Sequence, residues 1–134
     1  MINYHYIIPL VPPSNNKYIG KRNNWEYQKV KKEWAGYVDI FCRPKPTEPF
    51  ERARVTLLYH FPDKRKRDPD NYSGKMILDG LVQAGIIIDD SFDVIDLLIK
   101  AAPKPDRKNP RVEIFIEEVS HGELWDNGNK DSKS

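Results

Sequence analysis

The sequence predicts a single α/β (α+β) domain: a mixed β-sheet with two helices packed on one face. Three observations lead there. Short apolar runs repeat with period two, two longer stretches carry apolar residues at helical spacing, and turn-forming clusters separate them into the order β-α-β-α-β-β-β. At 134 residues the chain has the length of one ordinary domain. Residues 1–119 are assigned to it, and the polar, aperiodic remainder, 120–134, to a flexible tail.

Residues 4–10 alternate, with Tyr4, Tyr6, Ile8 and Leu10 on one face, until Pro12-Pro13-Ser14-Asn15-Asn16 turns the strand into a polar loop. Over 27–41 the apolar positions Val30, Trp34, Tyr37, Val38 and Phe41 form one helix face, and Pro44 and Pro46 stop that helix. Residues 52–61 alternate again, with Ala53, Val55, Leu57, Tyr59 and Phe61 inward and Arg52, Arg54, Thr56 and His60 on a wet face. A second helix over 73–84 would bury Ile77, Leu78, Leu81 and Val82, take Asn71 or Ser73 as its cap, and end with Gly85 in the left-handed conformation. Ile86-Ile87-Ile88 reads as a short, fully apolar strand. Residues 94–101 and 112–119 read as two further strands joined in a long hairpin.

The chemistry these residues allow is bounded by composition. No apolar run approaches the length of a membrane span, and the first ten residues lack the basic and apolar regions of an export signal. Cys42 is the only cysteine, so neither an internal disulfide nor a cysteine zinc cluster is available, and a reducing cytoplasm is the default compartment. A net charge of +2 is too small to demand a polyanionic partner. Its distribution is more informative. Lys17, Lys21 and Arg22 cluster early, Lys29, Lys31 and Lys32 follow, and Lys64-Arg65-Lys66-Arg67 runs unbroken into an acidic group. Alone, such a run is an ordinary solvated surface.

That acidic group is Asp68 and Asp70, and a second pair, Asp89 and Asp90, follows the second helix. A crossover from the second strand through the helix into Ile86-Ile87-Ile88 would return Asp89 and Asp90 to the neighbourhood of Asp68 and Asp70. Carboxylates gathered at one point repel one another and need a counter-charge, either from the basic run or from a divalent cation. Mg²⁺ is held by one or two carboxylates with water and phosphate oxygens, so a basic run beside the cluster is the composition expected of phosphodiester chemistry. Taken singly, Asp68-Pro69 is a turn opener, Asp70 or Asn71 a helix cap, and Asp89-Asp90 a strand exit. A calcium EF-hand loop is excluded by Ser73 where glycine is required and by Asp79 where glutamate is.

The stretch Arg67-Asp68-Pro69-Asp70-Asn71, then Lys75, Leu78-Asp79-Gly80-Leu81 and Ala84-Gly85-Ile86-Ile87-Ile88-Asp89-Asp90, resembles the RusA-type Holliday junction resolvases. The opening from Ile8 to Tyr18 is similar to the start of that family, so the likeness covers most of the chain. It implies a homodimeric, Mg²⁺-dependent endodeoxyribonuclease, with Mn²⁺ as a substitute, that nicks four-way DNA junctions symmetrically in recombination and repair. Carried over by motif position, Asp68, Asp70 and Asp90 would be catalytic metal ligands, Asp89 a weaker one, and Lys75 a catalytic or phosphate-contacting base. Ser14, Asn15, Asn16 and Lys17, with Lys64, Arg65, Lys66 and Arg67, would contact DNA.

One departure is visible. Tyr72, Ser73 and Gly74 precede the lysine where the family pattern has two residues. Lys75 is nonetheless in register counted back from Asp79 and Asp90, so Gly74 would absorb the additional residue, and Lys66 or Arg67 could share the role of Lys75. The alternatives are a non-catalytic nucleic-acid-binding protein and a metal-dependent nuclease for flaps or single strands.

Overall fold

A computed structural model describes residues 3–18 and 25–119. The expected tail, 120–134, and Lys21 and Arg22 lie outside the described residues, as does the side chain of Asn16. Four strands, β1 (Asn3–Ile8), β2 (Ala53–His60), β3 (Ile95–Ala101) and β4 (Arg111–Glu118), form one sheet in the order β1-β4-β2-β3. β4 is antiparallel to both of its neighbours, and β2 and β3 are parallel. Helices α1 (Trp25–Phe41) and α2 (Lys75–Gln83) complete the domain, with 3₁₀ turns at Asn15–Tyr18 and Pro69–Tyr72. The mixed sheet with two helices is the predicted architecture.

Alternation decides what is buried. Tyr6 and Ile8, Val55, Leu57 and Tyr59, and Val112, Ile114 and Ile116 point into one core with Trp34 and Val38 of α1 and Ile77 and Leu81 of α2. Each aliphatic side chain so buried contributes about 1.5–3 kcal/mol. The helices approach closely at Gly80, where a Cβ would lie 2.8 Å from Val38 Cγ2. Leu10, expected inward, is exposed, because β1 ends at Ile8 and the Leu10 N–H turns back onto the Ile8 carbonyl.

Three expectations are corrected. The two last strands do not form a hairpin: β4 inserts between β1 and β2, while β3 takes the edge beyond β2. Val112, Ile114 and Ile116 of β4 are buried, which suits the centre, whereas β3 carries exposed Leu98 and Lys100 and suits an edge. The connecting loop crosses the end of β2, pinned by Ala102 N–H to Tyr59 O and Asp106 N–H to Phe61 O. Second, Ile86-Ile87-Ile88 makes only a single parallel bridge, Ile87 with Phe50. Third, α2 has no side-chain cap. It starts from Gly74 at φ 78°, so neither Asn71 nor Ser73 serves. Gly85 is left-handed as expected, and its N–H and that of Ile86 bond the Val82 and Leu81 carbonyls, a Schellman ending.

The outer face of the sheet carries a carboxylate shared by two imidazoles. Glu113 on β4 meets His5 Nε2 at 2.8 Å and His60 Nε2 at 2.5 Å. Burial pushes the Glu113 carboxyl up, but the His60 and His5 contacts outweigh it and leave the group below its ordinary 4.5. A folded-state pKa below the unfolded one means stability that is present above pH 4.5 and lost as pH falls through the lower folded value. The stability gap between wild type and Glu113→Gln, followed by urea unfolding, is therefore full near neutrality and closes in acid. A gap constant down to about pH 3 would remove Glu113 from the acid response.

Gly74 and Gly85 share a left-handed backbone but differ in surroundings. A Cβ on Gly74 would meet Leu57 Cδ1 at 2.2 Å, whereas nothing lies within 4 Å at Gly85. Alanine at Gly85 is expected to cost about 1 kcal/mol from conformation, and at Gly74 about 2–3 kcal/mol because Leu57 must also repack. Equal losses in urea titrations would mean that Leu57 yields freely.

Candidate functional site

The end of β2 feeds a loop that organises its own charges. Arg67 lies with its guanidinium carbon 4.3 Å from the Phe61 ring centroid, pairs with Asp63 at 2.9 Å, and donates to the carbonyls of Asp63 and Arg65 at 3.2 and 3.1 Å. The Arg65 N–H and the Arg67 guanidinium hold the Asp63 carboxyl below its ordinary range. Of the expected DNA-contacting run, Arg67 is thus engaged in closing the loop, and Lys64, Arg65 and Lys66 are left exposed.

The chain then enters the Pro69–Tyr72 turn with Asp68 extended before it (φ −102°, ψ 139°) and Pro69 at its first position. The turn is fastened from two sides. The Tyr59 hydroxyl donates to the Tyr72 carbonyl at 3.0 Å, and burial pushes that phenol's pKa up. From the Asn15–Tyr18 turn, the Asn15 amide donates to the Asp70 carbonyl at 3.2 Å and to Ser73 Oγ at 3.0 Å. Asn15 therefore acts as a staple, joining the two segments that sequence had marked separately. Ser14 accepts the Lys17 N–H through its carbonyl, and Lys17 lies 3.8 Å from Glu26.

Asp68 and Asp70 are both exposed, and among the described residues neither carboxylate has an ion-pair or hydrogen-bond partner. Asp89 is exposed and Asp90 half-buried, and among the described residues neither carboxylate has an ion-pair or hydrogen-bond partner. A shallow cleft of ≈ 60 Å³ beside Asp68 is lined by Phe61, Pro69, Tyr72 and Lys100. A far larger cavity, ≈ 660 Å³, is lined by none of these aspartates.

The expected gathering of Asp90 with Asp68 and Asp70 does not occur within the chain. Ile87 bridges to Phe50, ahead of the start of β2, and the Val94 and Ile95 N–H groups bond back to the Ser91 carbonyl, so Asp89 and Asp90 stand by the start of β2 and β3. The Pro69–Tyr72 turn packs at the other end, beside Lys100 and Ala101. The seven steps of β2 between the two ends span about 23 Å. The sequence expectation failed because the strand that returns beside β2 is β3, after a further turn, and not Ile86-Ile87-Ile88. No group of three metal-binding side chains is found among the described residues.

Lys75 opens α2 and lies 3.8 Å from Asp79 Oδ2, with Lys31 of α1 at 3.4 Å from the same oxygen. The Lys75 and Asp79 spacing of four on a helix was legible in sequence. The Lys31 contact was not, since it requires the packing of α1 on α2.

The chain matches, over residues 9–117, the family described as Endodeoxyribonuclease RusA. It is 31% identical over 126 residues to the crossover junction endodeoxyribonuclease of Enterobacteria phage 82, covering 90% of this chain and 99% of the relative. The figures are the same for the Escherichia coli K12 protein of that name. Against the corresponding protein of Enterobacteria phage HK97 the identity is 33% over 109 residues, covering 73% and 83%.

The loop geometry separates two kinds of basic residue. Arg67→Ala is expected to lower stability by about 1–2 kcal/mol through its lost charged hydrogen bonds, and Lys64→Ala or Lys66→Ala by under about 0.5 kcal/mol. Urea unfolding of the three variants measures the contrast, and an Arg67→Ala protein as stable as Lys66→Ala would deny Arg67 its loop-closing role.

Proposed function

The chain belongs to the RusA family of endodeoxyribonucleases, and from that membership we propose that it resolves four-way DNA junctions by Mg²⁺-dependent hydrolysis of two opposed phosphodiesters, in DNA recombination and repair. The observation that carries the reading is the pair Asp68 and Asp70: exposed, without a side-chain partner among the described residues, and beside the exposed Lys64, Arg65 and Lys66. Two hard oxygen donors open to solvent fit the demands of Mg²⁺, which keeps water and phosphate oxygens in its remaining positions. Mn²⁺ shares that preference for oxygen. When bound, such an ion lowers the pKa of a coordinated water and offsets the charge that grows on the phosphate.

The protein's own groups supply the rest. Lys64, Arg65 and Lys66 draw the DNA backbone to the end of β2. Asn15 and Tyr59 hold the Pro69–Tyr72 turn, so that Asp68 and Asp70 meet an incoming phosphate without rearranging. Lys75, the first residue of α2, brings positive charge to the phosphate.

The distance between the two acidic ends supports a homodimer. Asp90 lies about 23 Å of strand away from Asp68 and Asp70, too far to share an ion with them in one chain. A two-fold partner that set its Asp89, Asp90 and Asp93 turn against the Lys64-Arg65-Lys66 loop would pair opposite charges and complete both sites at once. Two equivalent sites then give the paired nicks that resolve a junction.

Asp70→Asn and Asp90→Asn proteins are each expected to bind labelled four-way junction and fail to cut it in Mg²⁺. Mixed after co-refolding, they form heterodimers in which one site holds both substitutions and the other neither, so nicking of a single strand returns. Activity in either pure variant would remove that residue from the metal site. Two dead variants that fail to complement would place the site in one chain and sink the shared arrangement.

A further inference from the structure

Lys75, which the reading above brings to the phosphate, is committed elsewhere at rest. Its Nζ lies 3.8 Å from Asp79 Oδ2, and Lys31 Nζ lies 3.4 Å from that same atom. Oδ2 is shielded from solvent and, among the described residues, accepts no hydrogen bond, so the two ammonium groups are its compensation. An anionic oxygen in that setting is costly to leave without a counter-charge. The two lysines are not equivalent. The Lys75 side chain is 61% exposed and the Lys31 side chain 33%, with Asp79 at 19%. One cation is therefore loosely held at the solvent side of Asp79, in the first turn of α2 where the helix dipole disfavours it. The other reaches it from α1, across the helix packing.

We propose that Asp79 and Lys31 are positioning residues for Lys75. Asp79 holds the Lys75 ammonium at the start of α2, and when a phosphate takes it up Lys31 stays on Asp79, so that the hand-over does not strand the shielded Oδ2. Lys31 contacts neither DNA nor metal in this scheme. It sets how cheaply Lys75 can leave. No proton is transferred and no bond is made. The inference rests on the junction-nuclease reading for the identity of the phosphate, while the triad itself is a feature of the helix pair.

The discriminating experiment is single-turnover cleavage of a four-way junction in Mg²⁺ by wild type, Lys75→Ala, Lys31→Met, Asp79→Asn and the double variant Lys31→Met/Asp79→Asn, with junction affinity measured separately without divalent ions. Lys31→Met keeps the aliphatic stem but leaves Lys75 as the sole cation on Asp79. Its cleavage rate should fall about 2- to 5-fold, as expected for a partly exposed ion pair that must now be broken outright, with affinity changed less than about 2-fold. In the double variant no carboxylate is left to retain Lys75, and the rate should recover to within about 2-fold of Asp79→Asn. A purely structural bridge between α1 and α2 would give the opposite, a double variant no faster than Lys31→Met, and that result overturns the proposal. So does a Lys31→Met enzyme that cleaves at the wild-type rate while Lys75→Ala is deficient. A wild-type protein that leaves junctions intact, or a fully active Lys75→Ala, overturns the nuclease role of Lys75 and the hand-over with it.

Discussion

The molecule turns on the contact between Gly74 and Leu57. Gly74, in the left-handed conformation, swings the chain from the Pro69–Tyr72 turn into α2, and the space above Leu57 admits no side chain there. Because Leu57 lies in the middle of β2, this single approach fixes the height of the acidic turn at the end of the sheet. It also fixes the starting point and direction of α2. From there α2 descends to the other end of β2, which is why Asp90 emerges where it does.

Much of this was legible beforehand. The period-two runs gave four strands to within a residue or two, because half-buried strands advertise their faces, and Gly85 was recognisable as a helix stop from its place after the apolar stripe. Sheet order was not legible. Nothing in residues 94–119 says that the second strand of the presumed hairpin leaves its neighbour and enters the centre, since that choice depends on the complementarity of all strands together. The cap was missed for a related reason: Asn71 and Ser73 have the right chemistry, but Ser73 is already bound by Asn15, 58 residues earlier in the chain and adjacent in space.

The candidate site divides along the same line. Motif positions identified the aspartates, and the Asp68 and Asp70 pair is local enough for sequence to place it. The relation of that pair to Asp90 depends on the path of the whole crossover, and periodicity cannot supply it. Within the basic run, sequence treats four residues alike. The fold separates them, because Asp63 and the ring of Phe61 capture Arg67 and leave its neighbours to solvent.

The position of β4 has a consequence for the order of assembly. The strand made last among those described occupies the centre, with β1 hydrogen-bonded to nothing else in the sheet. During synthesis β2, α2 and β3 can associate as their residues emerge, whereas β1, made first, must wait for residues 111–118 before it acquires a neighbour. Its pairing with β4 joins residues more than a hundred positions apart, the kind of long-range closure that slows folding. Until then β1 can rest on α1 but has no strand partner, and the nascent chain is most vulnerable to misassociation through that open backbone edge just before its last strand arrives.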